Sequence, residues 1–390
     1  MTSQTESPRS AFPDPKEYLD DPRFHQTFTL PPGPTRPHSF TVSYSDYGYR
    51  NKEHPELERV LLLCGPLLGS RYLHIAKDAL AKHHRVRIID ADRPGFGGTS
   101  AVPLPGDRVA AWLEIVPALL SHLGVRHVSV AAHSGGTIYA LNVALRLRHL
   151  LSPDRPYVAL CAPWVRPARS GAPLMSLAGA VLPEGLVGGF DKVAAFVNRN
   201  IAPAVRVSGS LVPSLGAKAV LAPGVDREMV EFEERLWGPL IDRVYSESVK
   251  GLGQESVLLL KRDGKNGDWG GWEDYDDYVP MLAAAEGAGA GKLRVEVFFA
   301  ESDVMIGVGA GPKWIEECWR AEVRGDGIEF ASRVVPGSDH DTIAHIRFGV
   351  FEEIFRGMSG EDAVEAPPVA AGTASVATEQ PASLREGVAV

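Results

Sequence analysis

The sequence predicts an α/β fold: a mostly parallel sheet covered by helices on both faces and interrupted by one long insertion. Three observations predict it. Short, continuous apolar runs recur at 59–65, 85–91, 127–133 and 157–162, as expected of strands buried on both faces. Segments with apolar residues at helical spacing separate these runs, which implies right-handed crossovers and parallel pairing. The rhythm then breaks after Pro163 and resumes near Lys292, the pattern of a segment inserted between two halves of one sheet.

Taken in order, the first two dozen residues are polar and proline-containing and are expected to be a disordered lead, 1–24. Two strands are expected at 26–30 and 40–44, separated by the turn-forming PPGPTRP. The buried strand RVLLLCG follows, then a helix over 70–84, the strand RVRIIDA and a helix over 107–123. Next come the strand HVSVAAH, a helix from 135 to 151 and the strand YVALCA. The insertion, 165–291, contains one amphipathic helix near 226–247 and an acidic, aromatic patch at 267–278, whose part from Trp272 to Tyr278 is expected to be a solvated loop. The core resumes with strands at 292–300 and 328–335 and helices at 312–323 and 342–356, giving a core of 25–164 and 292–359. The tail, 360–390, is rich in Ala, Pro, Ser, Thr and Glu and is expected to be disordered.

Composition bounds the function. The chain has 390 residues, 44% hydrophobic and 23% charged, an ordinary globular balance. A net charge of -9 excludes nucleic acid as an expected partner. Cys64, Cys161 and Cys318 are widely spaced in apolar stretches, which suits buried thiols in a reducing compartment and offers no metal-ligand spacing. With no apolar leader and no run of spanning length, a soluble, cytoplasmic protein is expected, with no cofactor and no metal. Oligomeric state is left open.

The strongest local feature is SVAAHSGGTIYAL. A buried strand runs into His133-Ser134-Gly135 and a helix begins at once, so the tight turn lifts Ser134 out at the carboxyl edge of the sheet. Ala132 and Gly136 are small enough for the strand and helix to pack closely there. Ser134 then sits at a helix N-terminus, and the Gly135 amide can donate to a developing oxyanion. A serine hydroxyl needs a base, and the base needs an acid that fixes its tautomer. Both lie just past later strand ends: Glu301 and Asp303 after VEVFFA, and His340 after FASRVV, at the same edge of the sheet. Glu301 is the rival acid. His345 is the rival base, placed inside the last helix.

Four motifs in order, LLLCGPLLGSR, DADRPGFGGTS, AAHSGGT and the pair FFAESD with VPGSDH, resemble the α/β-hydrolase superfamily, in its capped serine-hydrolase branch. The resemblance implies a mostly parallel eight-stranded sheet with a cap over the site, and a triad in the chain order Ser134, Asp303, His340. The family's oxyanion loop usually reads His-Gly-x-Pro, whereas here it reads Cys64-Gly65-Pro66-Leu67. Pro66 has no N–H, so with the loop shifted by one residue the donors become Gly135 and Leu67. A serine at the elbow, where epoxide hydrolases and dehalogenases carry aspartate, implies an acyl-enzyme and hence an ester, thioester or lactone. Carbon–carbon hydrolysis, lyase or cyclisation chemistry is an alternative on the same fold, and a non-catalytic ligand-binding protein is another. The cap's Phe190, Phe196, Trp237 and Leu240 suit a small apolar substrate, although aromatics of this kind also serve a cap's own packing.

Overall fold

In the computed structural model, residues 12–33, 38–172, 221–260, 269–286 and 291–360 are described. Eight strands form one sheet: β1 Gln26–Leu30, β2 Phe40–Gly48, β3 Arg59–Cys64, β4 Val86–Ala91, β5 Ser129–His133, β6 Tyr157–Cys161, β7 Leu293–Ser302 and β8 Ile328–Asp339. Their spatial order is β1-β2-β4-β3-β5-β6-β7-β8. The pairs β1–β2 and β2–β4 are antiparallel, and every other pair is parallel. The inner strands are buried along their whole length because helices cover both faces.

Alternation along each strand divides the core into two layers. In β3, Val60, Leu62 and Cys64 face one layer, and Leu61 and Leu63 face the other. The first layer takes α3 (Asp107–His122) and α4 (Thr137–Arg146), with Trp112, Ile115, Leu119, Ile138 and Leu141 packed inward. The second takes α2 (Asp78–His83) and the C-terminal helix Val350–Ser359, through Leu80, Ala81, Phe351, Ile354 and Phe355.

Several elements differ from expectation. The lead is folded from residue 12 onward: α1 (Pro15–Leu19) and the 3-10 turn Pro22–Phe24 bury Leu19 and Phe24, and Phe12 stacks on Phe232 at 4.6 Å. Apolar side chains spaced among polar ones anchor it, a contact that local polarity conceals. The helix expected over 70–84 is shorter, with a 3-10 turn Ile75–Lys77 leading into α2. Before that turn the Arg71 amide donates to Asp92 Oδ1 at 2.8 Å, and its guanidinium also binds Asp92 and the Phe24 carbonyl, which hold the segment out of a helix. The last helix is broken too. Asp339 Oδ1 accepts the amides of Asp341 and Thr342 at 3.1 and 2.9 Å, a 3-10 turn spans Ile346–Phe348, and Gly349 at φ +69° precedes the true helix. His345 therefore lies ahead of the helix, not inside it.

Of the segment between β6 and β7, the described part holds a short turn of helix, α5 (Pro167–Ser170), and three longer helices, α6 (Arg227–Ser246), α7 (Gly251–Leu260) and α8 (Tyr275–Glu286). Helix α6 joins the second layer through Phe232, Leu236 and Leu240, so Leu240 serves core packing. Trp237 stands with its ring 5.6 Å from that of His345. Helices α7 and α8 join the first layer. The acidic, aromatic stretch is not a solvated loop: Trp272, Tyr275 and Tyr278 are buried, and Asp274 is buried against Arg166 at 3.0 Å. The aromatic rings at helical spacing outweigh the carboxylates, which turn outward or find an arginine. Phe190 and Phe196 lie outside the described residues, as do the residues of the tail beyond Gly360.

Candidate active site

The site forms where three strand ends meet at one edge of the sheet. At the end of β5, His133 is still extended (φ -122°, ψ 128°), Ser134 turns to φ +52°, and the 3-10 turn Ser134–Gly136 leads straight into α4. A side-chain-bearing residue pays steric strain for a positive φ, of the order of ~1–3 kcal/mol, so the surrounding packing must hold it there. Close packing of strand against helix does so. A Cβ on Gly136 would meet the Cys64 and Gly65 carbonyl oxygens at 2.1 and 2.5 Å, so only glycine fits between the elbow and the end of β3. Thr137 Oγ1 donates to the Ser134 carbonyl at 2.7 Å and ties the turn from the helix side.

From the end of β7 comes Asp303, and from the end of β8 comes His340. Ser134 Oγ lies 2.7 Å from His340 Nε2, and His340 Nδ1 lies 2.8 Å from Asp303 Oδ2. These partners assign the tautomer: Nδ1–H donates to the carboxylate, and Nε2 accepts from the hydroxyl. The other Asp303 oxygen accepts the amides of Met305 and Ile306, both at 2.9 Å, so the carboxylate cannot rotate away. All three side chains are about 95% shielded from solvent.

Electrostatics follow from this line. Burial works to raise the Asp303 pKa, but the His340 charge and hydrogen bond, with the Ile306 and Met305 amides, outweigh it and hold the carboxyl below its ordinary value. Burial works to lower the His340 pKa, but the Asp303 carboxylate, its hydrogen bond, and the more distant Asp341 and Asp339 raise it above the ordinary imidazole value. The structure thus brings Asp303, and not Glu301, to the imidazole. Glu301 is exposed and accepts the Gly337 amide at 2.9 Å, which fixes the last turn of chain within β8. His345 meets Trp237 instead of Ser134, and burial pushes its pKa down to about 4.

Two further groups bear on the site and were missed from sequence. His133 donates through Nε2 to the His340 carbonyl at 2.8 Å, and burial lowers its pKa to about 3, so it stays a neutral strut behind the imidazole. The signal was its place beside Ser134. Arg93, in the DADRPGFGG loop, donates to the carbonyls of Gly65, Pro66 and Leu67. That loop turns tightly, with the Gly69 amide donating to Pro66 O at 2.9 Å and Gly69 at φ +53°. Gly135 abuts Leu259 of α7, whose Cδ1 lies 2.8 Å from where a Cβ would stand. Buried Trp164, Met305 and Ile306 make the surroundings apolar. Cys64, Cys161 and Cys318 are all buried and unbridged, and burial pushes the Cys161 thiol up to about 12. Among the described residues no cluster of His, Cys, Asp and Glu is placed to hold a metal ion, and no helix is long and apolar enough to cross a membrane.

No protein-family model matches the sequence. Among solved structures the chain is similar to a mutant of an esterase, with a TM-score of 0.53 and 13% identity over 85% of this chain and 98% of that one. It is similar to a carboxylesterase of the ammonia-oxidizing thaumarchaeon Nitrososphaera gargenis, with a TM-score of 0.50 and 15% identity over 86% and 98% of the two chains. The enol-lactonase of Burkholderia xenovorans LB400 is a further neighbour, at 0.50 and 13% over 82% and 95%. At such identities the likeness is one of fold. The strand order, with a single insertion after β6 and an elbow after β5, agrees with it: this chain has the α/β-hydrolase fold.

Proposed function

We propose that the chain is a serine hydrolase that cleaves a small, mainly apolar carboxylic ester, thioester or lactone through an acyl-enzyme on Ser134. The observation that carries this reading is the unbroken line from Ser134 Oγ to His340 at 2.7 Å and from His340 to Asp303 at 2.8 Å, set on a strained elbow. In this reading His340 Nε2 takes the hydroxyl proton as Oγ adds to the acyl carbon, and Asp303 holds the imidazole in the required tautomer and stabilises its cation. The tetrahedral oxyanion accepts from the Gly135 and Leu67 amides. Its collapse breaks the bond to the leaving oxygen or sulfur, which takes the proton from His340. A water, deprotonated by the same nitrogen, then adds to the acyl carbon and frees the acid and Ser134.

An apolar substrate is supported by Leu259 against Gly135, by buried Trp164 beside Thr137 and by buried Met305 and Ile306 beside Asp303, which offer dispersion contacts and few polar partners. The esterases and the enol-lactonase among the similar structures point to the same bond class. Residues 165–291 act as the lid in this reading, and the cytoplasm is its place of action. The test is active-site labelling: a fluorophosphonate should modify Ser134 stoichiometrically and abolish hydrolysis of p-nitrophenyl butyrate. Stoichiometric labelling of Ser134→Ala protein would sink the assignment.

A further inference from the structure

The chain buries a charge cluster that the triad does not use. Glu255 of α7 has no solvent exposure; its Oε2 accepts from Arg108 Nε at 2.6 Å and from the Tyr139 hydroxyl at 2.8 Å. Its Oε1 faces Arg93 Nε at 3.1 Å. Arg93 is equally buried, with its guanidinium carbon 4.8 Å from the centre of the Tyr139 ring. The far end of that guanidinium donates to the Gly65, Pro66 and Leu67 carbonyls, the last at 3.2 Å. One carboxylate from the inserted segment thus reaches the elbow helix directly through Tyr139, and the loop after β3 through Arg93.

The consequence is directional. In a trans peptide the C=O and N–H point opposite ways. Holding the Pro66 carbonyl on Arg93 therefore turns the Leu67 N–H away from Arg93. Leu67 is also the second residue of the Pro66–Gly69 turn, whose own hydrogen bond runs from the Gly69 amide to Pro66 O and leaves the Leu67 amide unused. A buried guanidinium needs a fixed counter-charge to keep one orientation, and Glu255 supplies it.

We propose that Arg93 and Glu255 are positioning residues that hold the Leu67 amide as an oxyanion donor, so that an active site depends on α7 being seated. This rests on the serine-hydrolase reading above. The experiment uses the full chain with Glu255→Gln, Arg93→Lys, Arg93→Met and Leu67→Pro, the last a substitution that the second position of a turn accepts and that removes the N–H. With p-nitrophenyl butyrate, Leu67→Pro and Arg93→Met should lose about 10²–10³-fold in kcat, the cost of one oxyanion donor, with KM nearly unchanged. Glu255→Gln and Arg93→Lys should lose about 10–10²-fold. Affinity for an alkyl trifluoromethyl ketone, which adds to Ser134 as a tetrahedral adduct, should fall in parallel, while affinity for the matching carboxamide stays level. A merely structural role would lower the melting temperature without that split between adduct and amide.

Wild-type kcat and ketone affinity in Glu255→Gln and Arg93→Lys, beside an impaired Leu67→Pro, overturn the inference and leave the serine-hydrolase reading standing. Activity retained in Ser134→Ala overturns that reading itself. Should the buried variants fail to fold, the unaltered protein decides: the Leu67 amide proton must move downfield when the ketone adduct forms, and an unmoved resonance overturns the proposal.

Discussion

Gly136→Ala offers a severe test of how the elbow is held. The added Cβ would stand 2.1 Å from the Cys64 oxygen and 2.5 Å from the Gly65 oxygen, where such contacts do not fall below 3.0 Å. The elbow helix and the loop after β3 must therefore part by about 0.9 Å, the difference between the closest contact and that limit. Both partners are backbone, so no side chain can rotate aside, and overpacking of this kind costs roughly 1–3 kcal/mol of stability. The same displacement separates the Ser134 hydroxyl and Gly135 amide from the Leu67 amide. A misplacement near 1 Å costs on the order of 10² in rate, or about 2.7 kcal/mol of transition-state stabilisation. Gly135→Ala is the control. Its Cβ meets only the Leu259 side chain, Cδ1 most closely at 2.8 Å, a side chain that can change rotamer, and the rate should fall less than about tenfold. Steady-state hydrolysis of p-nitrophenyl acetate, with urea unfolding alongside, measures both effects. Full activity in Gly136→Ala, or a larger loss in Gly135→Ala, refutes the packing argument.

Two further predictions concern the triad. Asp303→Asn should lower kcat by about 10³–10⁴-fold, because an amide can present N–H to Nδ1 and favour the wrong tautomer. Glu301→Gln should be nearly silent, since the amide oxygen can still accept from Gly337; kcat/KM for both variants decides, and the reverse ranking refutes the assignment. The rate should rise with pH as His340 loses its proton. Because Asp303 outweighs burial and raises that pKa, the limb should centre above the ordinary value of 6.5. In the residual activity of Asp303→Asn, burial is opposed only by the more distant Asp341 and Asp339, and the limb should move to lower pH; a limb that stays put or moves up counts against the pair.

Local pattern alone determined much of this protein. Unbroken runs such as Arg59–Cys64 and Tyr157–Cys161 mark strands buried on both faces, because a strand with helices above and below has no face to leave polar. The elbow was equally legible, since a strand, a serine flanked by small residues and an immediate helix lie within a dozen positions. The loops that carry Asp303 and His340 followed from parallel topology, which puts the ends of the parallel strands at one edge. Pattern favoured Asp303 over Glu301 only by its later place in the turn; the Met305 and Ile306 amides that pin this carboxylate and aim it at the imidazole belong to the tertiary structure. The folded lead, the displacement of His345 from the last helix and the Arg93–Glu255 pairing were likewise settled by tertiary structure. Each depends on partners far apart in the chain, such as Phe12 with Phe232 or Arg93 with Glu255, and such a contact leaves no periodicity in either segment. Periodicity reports which face of an element is buried; what lies against that face is decided by packing.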